Sequence, residues 1–111
     1  MAKIKDDGLE VLAQLAQTIA ERAGQASDSS YTAQLLGKGS EKCAKKFGEE
    51  AIELVLASLD PNENHLIAES ADVLYHLLVL LKSRNVELRA VMDELDRRTV
   101  QSGLQEKAAR K

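Results

Sequence analysis

Apolar positions recur at helical spacing along most of the chain. Leu9, Leu12, Ala13, Ala16, Ile19, Ala20 and Ala23 fall on one helix face. Asp7 precedes them as an N-cap, with Glu10 three residues on as a capping-box partner. The polar run GQASDSS, residues 24–30, reads as a loop. Ser30 then caps a short helix over residues 31–36, and Gly37-Lys38-Gly39 ends it. Ser40 caps a longer helix over residues 41–59. Asp60-Pro61-x-Glu63 is a restart signal, with an acid at the N-cap and proline at the first helical position. The helix it opens runs to about residue 83. Asn85 caps a last helix carrying Val86, Leu88, Val91, Met92 and Leu95, and the charged tail, residues 103–111, is expected to fray.

These elements predict an all-α fold, an antiparallel bundle of four to five helices, in one domain spanning residues 1–111. Composition agrees. Hydrophobic residues are 44% of the chain and aromatic ones 3%, and one proline and little β-branched clustering argue against strands. A chain of 111 residues buries a modest core, which small helical proteins often complete by pairing, so a homodimer is expected.

Charge removes several functions. The net charge is −3, and apart from Lys45-Lys46 and the basic tail no stripe exists to grip nucleic acid. The longest apolar run, residues 73–81, contains His76 and is too short for a bilayer, and the charged N-terminus lacks a signal-peptide core. A lone cysteine, Cys43, makes no internal disulfide. A cytoplasmic protein with no membrane and no nucleic-acid partner is the expectation.

One feature runs against the helical pattern. Two of the most apolar helices carry matched acid pairs, Glu50-x-x-Glu53 and Glu69-x-x-Asp72, with Glu49 beside the first. Acids three apart share a helix face. In a hairpin folded about Pro61, Glu53 and Glu69 each lie eight residues from the turn, and Glu50 and Asp72 each lie eleven. Two carboxylates about 4 Å apart repel by about 4 kcal/mol at an effective dielectric of 20, so four need compensation. An oxygen-only ligand set suits a hard cation, Mg²⁺ or Mn²⁺, which leaves positions for water and phosphate. The alternative is a set of solvated surface acids paired with Lys45 and Lys46 four residues earlier. Spacing leaves both readings open.

The segment SYTAQLLGKGSEKCAKKFGEEAIELVLA (residues 30–57), followed by ESADVLYHLLVLL (residues 69–81), closely resembles phosphoribosyl-ATP pyrophosphohydrolase, a family of the all-α NTP pyrophosphohydrolase (MazG-like) group. The group motif is EExxE, a spacer, then ExxD. Here it reads Glu49-Glu50-Ala51-Ile52-Glu53, fifteen residues, then Glu69-Ser70-Ala71-Asp72. Ser30-Tyr31-Thr32, Lys45-Lys46-x-Gly48 and Ala71-Asp72-x-x-Tyr75-His76 are the more specific features. The resemblance covers about residues 9–98, departing at Cys43, usually aliphatic, and Gln34, commonly lysine.

It implies Mg²⁺-dependent hydrolysis of phosphoribosyl-ATP to phosphoribosyl-AMP and pyrophosphate, the second step of histidine biosynthesis, by a dimeric helical bundle. It also implies metal ligation by Glu50, Glu53, Glu69 and Asp72, with Glu49 as a ligand or as the acid that orients water. Beside that expectation, Lys38, Lys42, Lys45 and Lys46 are candidates to hold phosphates, and Gly37 and Gly39 let backbone approach closely. Ser30, Tyr31 and Thr32 form a hydroxyl-rich turn suited to phosphate or ribose, with helix capping as the plainer role for Ser30. His76, one turn after Asp72, orients it or serves as a core histidine; Tyr75 reads as packing, and His65 carries no assigned chemistry. Two rivals stand beside this reading: a house-cleaning nucleoside triphosphate pyrophosphohydrolase with the same acids, and a non-catalytic helical interaction module.

Overall fold

The computed structural model describes residues 8–99, which form five helices. They are α1 (Leu9–Ala23), α2 (Tyr31–Gly37), α3 (Ser40–Ala57), α4 (Glu63–Ser83) and α5 (Leu88–Thr99). No strand occurs among the described residues. The expected capping by Asp7 and the fraying of the tail lie outside them.

α3 and α4 form an antiparallel hairpin with the largest helix–helix interface, and α1 and α2 pack across one end of it. The core sits at that end. Ile19 of α1, Leu35 of α2, Cys43 of α3 and Leu78 and Val79 of α4 are buried together, with Leu12, Leu15 and Leu81 partly buried against them. Each large aliphatic side chain removed from water contributes about 1.5–3 kcal/mol, and this shared burial holds the short α2 in place. Cys43 is a buried thiol that donates to the Leu35 carbonyl at 3.4 Å, and burial raises its pKa.

Helix ends follow local chemistry, with corrections to the sequence reading. Ser30 caps α2 as expected, its Oγ accepting the Ala33 N–H at 3.0 Å. Ser40 is not the cap of α3 but its first residue; Gly39 holds the cap position at φ 95°, a conformation that side-chain-bearing residues avoid. α3 ends at Ala57, two residues before the expected stop. The α4 restart also sits later. Asp60 Oδ1 accepts the Asn62 N–H at 2.9 Å, forming a turn ahead of the helix, and Asn62 is the cap, accepting from Asn64 N at 3.0 Å.

Asn85 does not cap α5. It lies in the left-handed region at φ 57° and closes α4, with Asn85 N bonded to the Lys82 carbonyl and Val86 N to the Leu81 carbonyl. That pattern satisfies carbonyls at the helix C-terminus, a role asparagine shares with glycine.

Candidate active site

The hairpin brings acids together. Glu50, Glu69 and Asp72 each place a carboxylate oxygen so that all three atoms lie within 4.8 Å of one another. Glu50 and Glu69 are largely shielded, with side chains 16% exposed, while Asp72 is open. Glu53 is exposed and stands outside this group. Residues 58–62, which join the helices, are centred on Asp60 rather than Pro61. Glu53 nonetheless stands close enough to Glu69 for its charge to act on it more strongly than those of Asp72 and Glu50.

Glu69 is the strained member. Its Oε1 is buried without a hydrogen-bond partner. Burial first, then the charges of Glu53, Asp72 and Glu50, raise its pKa above the ordinary value, while His65 pulls the other way. A buried carboxylate oxygen without a partner is costly, and a cation is the natural complement to three oxygens at this separation. The residues therefore fit a hard divalent ion held by Glu50, Glu69 and Asp72.

Cations border the acids. Lys46 Nζ lies 3.5 Å from Glu50 and 3.9 Å from Glu49, so the expected Lys45–Glu49 pair is replaced by one lysine serving both acids. The Tyr31 hydroxyl, then Glu50, raise the pKa of Lys46. Lys38, Lys42, Lys45 and Lys46 line one shallow depression of about 190 Å³ with Glu49 at its edge. A cavity of about 500 Å³ between α1, α4 and α5 shares no residue with the acid cluster.

α4 presents a stripe one turn apart: His65, Glu69, Asp72 and His76. His76 is buried, and burial lowers its pKa, so it is neutral near pH 7. It stands edge-on to Tyr75 at 4.9 Å and to Tyr31 at 6.3 Å. Of the Ser30-Tyr31-Thr32 turn, Ser30 caps α2, Thr32 is buried against the Tyr75 hydroxyl at 2.5 Å, and Tyr31 is half exposed.

Two residues at the site go beyond the sequence reading. His65 bridges Asp60 at 3.0 Å and Glu69 at 3.8 Å. Its signal was its place four residues before Glu69. Tyr75, read as packing, bonds Thr32; its signal was its place three residues after Asp72.

The family model described as phosphoribosyl-ATP pyrophosphohydrolase matches residues 12–99. A phosphoribosyl-ATP pyrophosphatase 1 of Rhodopseudomonas palustris is 58% identical over 97 residues, 87% of this chain and 91% of that protein. A phosphoribosyl-ATP pyrophosphatase of Paracoccus denitrificans is 54% identical over 100 residues, covering 90% and 93% of the two chains. One of Dinoroseobacter shibae is 54% identical over 102 residues, 92% of this chain and 100% of that protein.

Proposed function

This chain belongs to the phosphoribosyl-ATP pyrophosphohydrolase family, and from that premise we propose how it hydrolyses phosphoribosyl-ATP in histidine biosynthesis. The observation that carries the site assignment is the convergence of Glu50, Glu69 and Asp72 around the unpartnered Glu69 Oε1.

These three acids hold Mg²⁺, with Mn²⁺ as a substitute, and Glu53 adds its charge from the rim. When bound, the ion polarises phosphoryl oxygens and offsets their charge. The chain's own groups do the rest. Lys38, Lys42, Lys45 and Lys46 hold the polyphosphate, each supplying a mobile ammonium. Lys46 also pairs with Glu50 and Glu49 at the edge of the cluster. Glu49 receives the proton of the attacking water as its oxygen bonds to phosphorus. The anhydride linkage between the α and β phosphates breaks, and pyrophosphate leaves with that electron pair. The Ser30-Tyr31-Thr32 turn presents the half-exposed Tyr31 to the nucleoside and ribose end, with Ser30 and Thr32 holding its shape, and neutral His76 packs behind Asp72 and steadies it.

The working unit is a homodimer. Ile52, Val55 and Leu56 of α3, with Leu59 in the turn after it, are between 61% and 78% exposed. An unpartnered apolar stripe of that kind on a small bundle suits a second copy. No helix among the described residues is long and apolar enough to cross a membrane, and we assign the enzyme to the cytoplasm.

Pyrophosphate release from phosphoribosyl-ATP, beside dUTP and other simple nucleoside triphosphates, tests this reading. Turnover of phosphoribosyl-ATP in preference to the others supports it. Preference for simple triphosphates would favour a house-cleaning enzyme.

A further inference from the structure

Tyr75 lies one turn beyond Asp72 on α4, and its hydroxyl meets the Thr32 hydroxyl at 2.5 Å. The bond joins α4 to the first turn of α2. That turn is otherwise held by burial of Ala33 and Leu35 and by its own cap. α2 has seven residues, too few to be stable alone, and its Ser30 cap is local. The Tyr75 ring also stacks on Tyr31, centroids 6.4 Å apart and planes 22° from parallel. One side chain thus grips two successive residues of the turn, by a hydrogen bond and by a ring face. It stands one turn from Asp72 on the same helix, and Tyr31 also meets His76 of α4 edge-on, centroids 6.3 Å apart. The first turn of α2 is therefore fixed to the helix that carries Glu69 and Asp72.

We propose that Tyr75 is a positioning residue for substrate binding, its hydroxyl fixing the Tyr31-Thr32 turn beside the acid cluster; this rests on the functional reading above. Packing alone would require only the ring. The hydroxyl is the informative atom: burial raises its pKa, so it stays protonated and capable of donating. The acids and Lys42, Lys45 and Lys46 stand on α3 and α4, so loss of the bond loosens substrate binding and leaves the chemical step in place.

The test compares Tyr75→Phe, Thr32→Val, Thr32→Ser and the Tyr75→Phe/Thr32→Val double variant with the wild type, by steady-state hydrolysis of phosphoribosyl-ATP in saturating Mg²⁺ and by thermal melting. Tyr75→Phe keeps the ring and removes one hydrogen bond, so KM rises about five- to tenfold with kcat within about twofold. Thr32→Val gives the same rise and Thr32→Ser restores wild-type KM. The double variant is no worse than either single one, because both remove one bond. An unchanged KM in Tyr75→Phe, even with a lowered Tm, would reduce Tyr75 to packing. So would KM effects that multiply in the double variant, or a loss confined to kcat. Should Tyr75→Phe fold poorly, the Thr32→Val and Thr32→Ser pair decides alone. A wild type without turnover would overturn the functional reading itself, whereas a normal wild type with a normal Tyr75→Phe overturns only this inference.

Discussion

Glu50 of α3 and Glu69 of α4 bring carboxylate oxygens to within 4.8 Å across the hairpin, with Asp72 completing the group. In the cation-free protein this closeness works against the fold. The pKa of Glu69 is raised, so the native state holds protons more tightly than the unfolded chain. Its contribution to stability therefore falls as pH rises from the ordinary value of 4.5 through the raised one.

A divalent ion reverses that effect, which gives the first prediction. A tenfold excess of ion over its dissociation constant stabilises the native state by about 1.4 kcal/mol, which is about 5 °C or more in a domain of this size. Melting at neutral pH with and without Mg²⁺ should show that rise in the wild type. Glu69→Gln should melt higher than the wild type without Mg²⁺ and gain little from it.

Asp60 behaves in the opposite sense. The Asn62 N–H, then His65, lower its pKa. A depressed carboxylate stabilises the fold above its ordinary value of 3.8 and loses that contribution as pH falls through the depressed one. Asp60→Ala should lower Tm by a few degrees at neutral pH. The gap to the wild type should close in acid; a gap that persists at the lowest pH would mean that the turn does not depend on this charge.

Gly39 carries a backbone constraint. With φ 95° and ψ 165° it occupies a region open essentially to glycine, and a Cβ there would meet nothing within 4 Å. The cost of Gly39→Ala is thus conformational, about 1–3 kcal/mol in urea unfolding. An Ala variant as stable as the wild type would show that the turn into α3 relaxes freely.

The α3 stripe makes a prediction about assembly. Leu56→Asp, placed among Ile52, Val55 and Leu59, should shift the protein from dimer to monomer in sedimentation velocity. A wild type already monomeric at micromolar concentration would contradict the dimer.

Much of this site was legible before the fold. Helical spacing located α1 to α4, and Ser30 announced its cap because a short hydroxyl ahead of a helix can accept an unpaired N–H of the first turn. The acid pairs were visible as carboxylates inside apolar helices. The start of α4 was harder, because Asp60, Asn62 and Pro61 can each begin a helix, and only the fold shows that Asn62 is the cap. Asn85 was misread for a related reason: asparagine suits both a helix N-cap and a left-handed C-terminal position. The Tyr75–Thr32 bond spans a separation that no local pattern encodes, since the packing of α2 on α4 creates it.

The central claim is that Glu50, Glu69 and Asp72 act as one cation-binding unit for phosphoribosyl-ATP hydrolysis. Pyrophosphate release by Glu50→Gln, Asp72→Asn and Glu53→Gln at saturating Mg²⁺, each variant checked for native helicity, tests it most directly. Glu50→Gln and Asp72→Asn should each lose at least about 100-fold in kcat/KM, and Glu53→Gln, outside the cluster, should lose less. Folded Glu50→Gln and Asp72→Asn proteins that turn over phosphoribosyl-ATP at the wild-type rate would contradict it.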